Sequence, residues 1–374
     1  MEHNNPVEPQ QKKKHERILS IDAFRGFTVL SMIFVIQVAG YKDLPFTMSW
    51  FGSPPVSTFK HAGDALNATG IGLTFTDLVA PFFVFIVGMA LPFSKKRRGS
   101  EWWRHILKRT LMLIFLGIIY ISLALGSANS WGGLSYWWGI LQAIGVAYFM
   151  GAVATQLPYW QRWVAVFFVS AFHLFMSMHF NWWLTLGNPA NGFFTIANLS
   201  GDLLRPLTIH CTPWASISYG TITIIGTILG ETLLSRSHEK IIKQSLFIGF
   251  MFFIIGYILH SFDWPKYAMN KDTVSVSFAF CTSGIAAITF LIFYLIMDVA
   301  KYQKWAWFLI VFGSNALLGY FLQPIVRIFT YALGFKPYLI GLSGWYAVFI
   351  GLVWTGLLWF VLHWCNKRDI YWRI

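Results

Sequence analysis

The sequence predicts an all-α fold: a polytopic transmembrane helical bundle of about ten spans, with both termini in the cytoplasm. Three observations carry that expectation. Hydrophobic residues make up 56% of the 374-residue chain and charged residues only 11%, with a mean hydropathy of +0.56. Ordinary soluble domains carry about 25% charge, and a soluble chain of this length has too little interior for so much apolar surface. Uncharged runs long enough for a helix to cross the hydrocarbon recur from end to end. Finally, about 20 of the 28 Lys and Arg residues fall on alternate connectors, as the positive-inside rule requires of cytoplasmic loops.

Taken in order, the spans read as follows. Residues 1–16 form a polar cytoplasmic tail without the apolar core of a signal peptide, expected to be disordered; 17–374 read as one transmembrane domain. The first span covers about Ala23 to Gly40, with Asp22 and Arg25 at its edge. The second covers about Leu73 to Phe93, with Pro81 inside it. After the basic run Lys95 to Arg109 come spans near Ile106–Leu125, Tyr136–Gln156 and Trp163–His179. A polar loop, Phe180 to Thr212, precedes spans near Pro213–Leu234, Ser245–Phe262, Val274–Ala300, Trp305–Tyr331 and Gly344–Trp364. Trp and Tyr cluster near the span ends, as an interfacial belt does.

This topology accounts for the net charge of +13 as membrane orientation, so no nucleic-acid partner is expected. Cys211, Cys281 and Cys365 are widely spaced and give neither a disulfide framework nor a metal-ligand pattern, and no metal is expected. No phosphate-binding glycine loop, dinucleotide fingerprint or serine-centred hydrolase elbow is readable.

The chemistry concentrates in Lys60 to Phe93, where a polar loop runs into an uncharged helix. Ionisable groups at membrane depth cost at least about 2.5–3.5 kcal/mol each and mark function by default. His61 suits a general base or a transient acyl carrier. Asp64, one helical turn on, would orient it, and Asn67 would donate to a developing oxyanion. Asp22 and Arg25, three apart, share a helix face. They serve a buried core or substrate-steering pair, or a helix cap with a snorkelling arginine. Asp77 reads as buried and paired, or as the N-cap of the second span. Lys95, Lys96, Arg97 and Arg98 are a positive-inside signal or a phosphate-binding rim. Arg327, inside an apolar span, is expected to face the bundle interior and find a partner. Asn315 and Gln142 read as interhelical amide contacts, His173, His260 and His363 as structural, and His210 as a weak acceptor-site candidate.

Several short runs resemble one family. They are Arg17-Ile-Leu-Ser20-Ile-Asp22-Ala-Phe24-Arg25-Gly26, Thr76-Asp77-Leu-Val-Ala-Pro81-Phe-Phe-Val-Phe-Ile-Val-Gly88, Gly139-Ile-Leu-Gln142, Asn270-Lys271 with Ser275 and Ser277, Gly313-Ser-Asn315, and the tail Lys367-Arg-Asp-Ile-Tyr-Trp372. In order and spacing they resemble the heparan-alpha-glucosaminide N-acetyltransferase family across nearly the whole chain. The resemblance implies a membrane acetyltransferase that takes acetyl-CoA from the cytoplasmic side. Its acceptor is an amino or hydroxyl group of a sugar or glycan at the other face, and the key histidine lies in the first non-cytoplasmic loop, here His61 followed by Ala62. On the cytoplasmic side Lys95 to Arg98, if not merely a positive-inside signal, are the candidates for contact with the CoA phosphates. Two departures stand out. The family's histidine lies closer to the aspartate that matches Asp77, so that an ungapped match puts Asn67 in its place. The family also has an asparagine near the end of the first span, where Ile36 stands with Gln37 beside it; Gln37 joins the substrate-binding candidates. A homodimer and an inner-membrane location, if the source is bacterial, complete the expectation. The rival readings are a polytopic transporter or flippase, and a catalytically inactive membrane homologue.

Overall fold

A computed structural model describes residues 18–49, 51, 55–62, 71–126, 138–180, 214–262, 267–271, 273–334 and 341–372. The fold is all-α apart from one small hairpin, β1 (Thr47–Met48) paired antiparallel with β2 (Val56–Ser57). The helices are α1 (Leu19–Val38), α2 (Phe75–Arg98), α3 (Trp102–Gly126), α4 (Ile140–Ala154), α5 (Tyr159–Phe180), α6 (Ala215–Leu234), α7 (His238–Ser261), α8 (Val276–Tyr294), α9 (Trp307–Ser314), α10 (Ala316–Ala332) and α11 (Gly344–Lys367). By length and apolarity six continuous helical segments among the described residues qualify as membrane spans, with Phe75–Leu123 counted as one, and the bent pair α9–α10 makes a seventh.

Close backbone approach holds the bundle together. Lipid tails are as apolar as leucine, so helices in a bilayer associate through packing and hydrogen bonds rather than through hydrophobic exclusion. Here glycines supply the contact. Gly226 and Gly230 of α6, four apart, lie against the backbone of α2 at Phe85 and Met89, and Gly88 of α2 lies against Thr223. Gly26 of α1 meets the Leu309 carbonyl, and Gly313 meets that of Asp22. Gly249, Gly256 and Gly284 do the same between α7 and α8. Around these seams Phe24, Phe82, Phe85, Tyr219 and Phe290 are buried. The hydroxyls of Thr223 and Thr227 in α6 donate back to the carbonyls of Tyr219 (3.2 Å) and Ile224 (2.7 Å), so these polar residues enter the interior satisfied.

Contacts between connectors sort the bundle into two ends. At one, Gly72 N–H donates to Met269 O (2.9 Å), Gly344 N–H donates to Lys42 O (3.1 Å), and His260 Nδ1 accepts from Met269 N–H (3.1 Å). At the other, Lys95 Nζ and Arg162 Nη2 both donate to Thr155 O, and Arg162 pairs with Glu231 at 3.5 Å. There the N-terminus of α1 has no side-chain cap of its own. Ser20 N–H donates instead to Asp298 Oδ2 (3.1 Å), which sits in the π-helical turn Leu295–Val299 that ends α8.

Two features differ from the sequence expectation. The ninth span is broken: α9 and α10 meet at 68°, with Asn315 at φ −126°, ψ 41° between them. Its buried amide donates to Asn366 Oδ1 (3.0 Å) and Ile370 O (2.9 Å) and accepts from Trp372 N–H (3.2 Å). The break therefore locks in the C-terminal tail. Arg327, expected inside the bundle, is exposed. The face of α10 that packs on α1 and α11 is that of Gly319, against Val29, Ile33 and Leu362, and Arg327 lies about 80° round the helix from it. Gln142 acts where expected, at the α3–α4 crossing. Its Oε1 accepts from Gly139 N–H (3.2 Å) at the start of α4, and Gly117 of α3 closes on the same amide.

Gly226→Val is expected to lower the thermal midpoint in detergent by several degrees, since overpacking a tight seam costs about 1–3 kcal/mol. Gly356→Ala, with open space around its Cα, is expected to leave it unchanged.

Candidate active site

The site is built on the first turn of α2. Thr74 and Asp77 stand in N-cap and N3 positions and form a capping box, the pattern in which a side-chain oxygen accepts the N–H groups that a helix start leaves open. Asp77 Oδ2 accepts from Thr74 N–H (3.0 Å) and from Ala62 N–H (3.1 Å). The Thr74 hydroxyl donates to the Lys60 carbonyl (2.6 Å), with Asp77 Oδ2 at 3.0 Å as a shared acceptor. Thr76 Oγ1 donates to Thr58 O (3.1 Å). Thr58, Lys60 and Ala62 are thus each stitched to the helix start, and the loop that carries His61 has a fixed path.

That path delivers His61 Nδ1 to 2.7 Å from Asp77 Oδ1. The Asp77 side chain is fully buried and that of His61 is 23% exposed. An ionised carboxylate only accepts hydrogen bonds, so the proton of this contact sits on Nδ1. The imidazole is then held in the tautomer whose Nε2 is the basic nitrogen, which is the arrangement of a histidine oriented for proton transfer. Lys271 adds a positive charge within electrostatic reach of Asp77, and its loop is docked beside α2 by the Ile71–Asn270 bridge.

The sequence assigned the orienting role to Asp64. The aspartate beside His61 is Asp77, brought there by folding across sixteen residues. Its oxygens are engaged by His61, Ala62 and Thr74. Asp64, Asn67 and His210 lie outside the described residues. Gln37 is half-buried near the end of α1, on the side of the bundle that carries His61.

The remaining candidates lie elsewhere. Asp22 and Arg25, 3.4 Å apart in the first turns of α1, and the run Lys95 to Arg98 sit at the opposite end. Arg98 stands 21 positions after Asp77 along α2, about 32 Å at 1.5 Å per residue. The four basic residues do not converge, because consecutive helical positions point about 100° apart. Lys95 is spent on the Thr155 carbonyl (2.7 Å), while Lys96 and Arg97 are exposed. Across the α2–α3 turn, Arg97, Arg98, Lys108 and Arg109 all lie within electrostatic reach of His105. Sequence reasoning put Lys108 and Arg109 in the same basic run but missed them as phosphate-binding candidates. It also missed Thr74, whose Thr-x-x-Asp pattern is a helix-start signature. Among the described residues no group of three or more His, Cys, Asp or Glu is placed to hold a metal.

Comparison with known proteins bears on this geometry. The human heparan-alpha-glucosaminide N-acetyltransferase is 35% identical over 149 residues, covering 38% of this chain and 19% of the human protein. The mouse protein of the same name is 31% identical over 151 residues, covering 38% of this chain and 20% of its own length. The match therefore spans about a fifth of the length of these curated relatives. The family model for the catalytic region of heparan-alpha-glucosaminide N-acetyltransferase matches residues 17–254. That stretch contains His61, Thr74 and Asp77, and by it this chain belongs to the heparan-alpha-glucosaminide N-acetyltransferase family.

Proposed function

We propose that the protein transfers an acetyl group from cytoplasmic acetyl-CoA to an amino or hydroxyl group of a sugar or glycan on the non-cytoplasmic side. The observation that carries this reading is the hydrogen bond of His61 Nδ1 to the buried, multiply bonded Asp77. In the proposed step Nε2 takes the proton of the acceptor as its nitrogen or oxygen attacks the thioester carbonyl. The carbon–sulfur bond then breaks, and the imidazolium returns the proton to the departing CoA thiolate. Asp77 holds the imidazole and stabilises its charged form. Asn67 is assigned to the oxyanion, Asp64 to assisting His61, and His210 to the acceptor side.

The donor's phosphates suit the other end, where Arg97, Arg98, Lys108 and Arg109 gather and guanidinium groups pair with anionic oxygens. The thioester arm has to thread the bundle to bring its carbonyl within about 3.5 Å of Nε2. The asymmetric distribution of Lys and Arg supports ten spans with both termini cytoplasmic. One observation favours transport instead, the helix break at Asn315. Transporter folds of that kind pair broken helices between two repeats, and among the described residues α9–α10 is the one bent pair.

With purified protein in nanodiscs, His61→Ala is expected to cut acetyl transfer from labelled acetyl-CoA by roughly 10²–10⁴-fold while acetyl-CoA still binds. Retention of near-normal turnover in this variant rules the mechanism out. Asp77→Ala leaves the Thr74 and Ala62 N–H groups without their acceptor. It is expected to destabilise the protein by about 1–3 kcal/mol, measured by thermal unfolding, as well as to slow turnover. Arg98→Gln combined with Arg109→Gln is expected to raise KM for acetyl-CoA roughly tenfold with KM for the acceptor unchanged. A change confined to the acceptor would move the donor phosphates away from this corner.

A further inference from the structure

A groove between α1, α9 and α11 is used neither by the His61–Asp77 pair nor by the basic corner of α2 and α3. Leu30, Trp307, Phe308, Phe312, Leu352 and Trp359 line a cavity of about 360 Å³ there. Gly356 belongs to the same wall, with open space where a Cβ would stand. The polar groups of α11 in the lining are already used. The Thr355 hydroxyl donates back to the Gly351 carbonyl (2.8 Å), and the Trp359 indole N–H donates to the Phe308 carbonyl (3.1 Å). The second bond ties α11 to α9 and fixes the shape of the groove. A sugar or nucleotide entering it would lose water without gaining partners for its hydroxyls. An apolar chain loses nothing by entering.

The groove also has a defined depth and a polar mouth. From Leu352 to Trp359 α11 rises about 10 Å at 1.5 Å per residue, about two thirds of one leaflet of a hydrocarbon core roughly 30 Å thick. His363, one turn past Trp359, stacks on its indole with ring centres 4.8 Å apart and 9° between planes, and meets Trp307 edge-on at 6.3 Å. Lys367 stands one turn past His363, and Lys304 three residues before Trp307. Both lysines are exposed, and neither pairs with a carboxylate among the described residues. Gly313 closes on Asp22 at the start of α1, and Asn315 holds the tail that follows α11. The mouth therefore lies at the basic end of the bundle. Apolar wall, indole pair, imidazole and ammonium groups follow one another in the order of acyl chain, ester region and phosphate. Basic pockets between membrane helices on the cytoplasmic side suit anionic lipid headgroups.

We propose that this groove binds one anionic phospholipid from the leaflet at the basic end. One acyl chain lies along Leu30, Leu352 and Gly356, and the phosphate meets His363, Lys304 and Lys367. Two lysines without a carboxylate partner leave the mouth positive, which favours a headgroup of net negative charge over phosphocholine. The inference needs the bundle to lie in a bilayer and does not depend on the acetyl-transfer reading.

The test counts bound lipid. Full-length protein, delipidated in detergent, is titrated with dioleoylphosphatidylglycerol, dioleoylphosphatidylcholine or inorganic phosphate at matched ionic strength. Native mass spectrometry and the thermal midpoint are recorded for the wild type, Gly356→Leu, Leu352→Trp and the double variant Lys304→Gln with Lys367→Gln. The expected result is one tightly held phosphatidylglycerol that raises the midpoint, a weaker response to phosphatidylcholine, and none to phosphate. The double variant weakens phosphatidylglycerol roughly tenfold or more and leaves the two lipids alike. Gly356→Leu fills the groove and removes the tight lipid. Leu352→Trp narrows it from an exposed position and gives the same loss should Gly356→Leu not fold. Equal affinity for the two lipids in the wild type overturns the proposal, as does a tight lipid that persists in both folded groove-filling variants. A response to phosphate alone with the same lysine dependence makes the mouth a free-anion site and removes the lipid. A lipid-free dimer that Leu352→Trp turns into monomer assigns the groove to a second copy and overturns the proposal as well.

Discussion

A fully buried carboxylate in an otherwise apolar bundle is the constraint on which the functional end depends. Asp77 is charged, enclosed and at the start of a membrane-length helix, a position tolerable only if every lone pair has a use. The structure meets that demand from three directions: the helix's own N-cap residue, the backbone of the preceding loop, and the imidazole of His61. The aligned peptide dipoles of α2, positive at this end, favour the negative charge further. Satisfying the carboxylate and orienting the histidine are therefore one event. Any conformation that withdraws His61 also opens the α2 cap, so the loop and the helix are expected to stay in register.

The two ends of the bundle divide the chemistry between them. One holds the hydrogen-bonded His61–Asp77 pair; the other holds a surplus of guanidinium and ammonium groups. Some of those cations are spent on helix ends, as where Lys95 and Arg162 share the Thr155 carbonyl. Cations at a helix C-terminus complement its negative pole, so part of the positive-inside signal doubles as capping. The division also explains why Asp22 and Arg25 join neither group. They sit where Gly313 closes on α1, and their pairing makes polar atoms compatible with that close contact.

The class of fold was fully legible in the sequence, because hydropathy and basic-residue asymmetry are one-dimensional properties. So were most helix positions, within about four residues, though α7 starts at His238 and not at the expected Ser245. The break at Asn315 was not: Gly313-Ser314-Asn315 interrupts the apolar run there, but the bend depends on partners about fifty residues away. At the site, His61 and Asp77 were both singled out, but they were given different roles. Local spacing made Asp64 the natural partner of His61, whereas the loop's bonds to Thr74 and Thr76 close the longer gap to Asp77. Arg327 was half legible: it was flagged as needing a partner, yet its exposure appears only in three dimensions.

The cap on α1 has a consequence for how the chain is made. Ser20 N–H finds its acceptor in Asp298, 278 residues later. At translation rates of about 5–20 residues per second, the first helix waits roughly half a minute inside the translocon-bound nascent chain before its leading turn is closed. The cap of α1 is therefore completed only after α8 and its π-helical turn have been made.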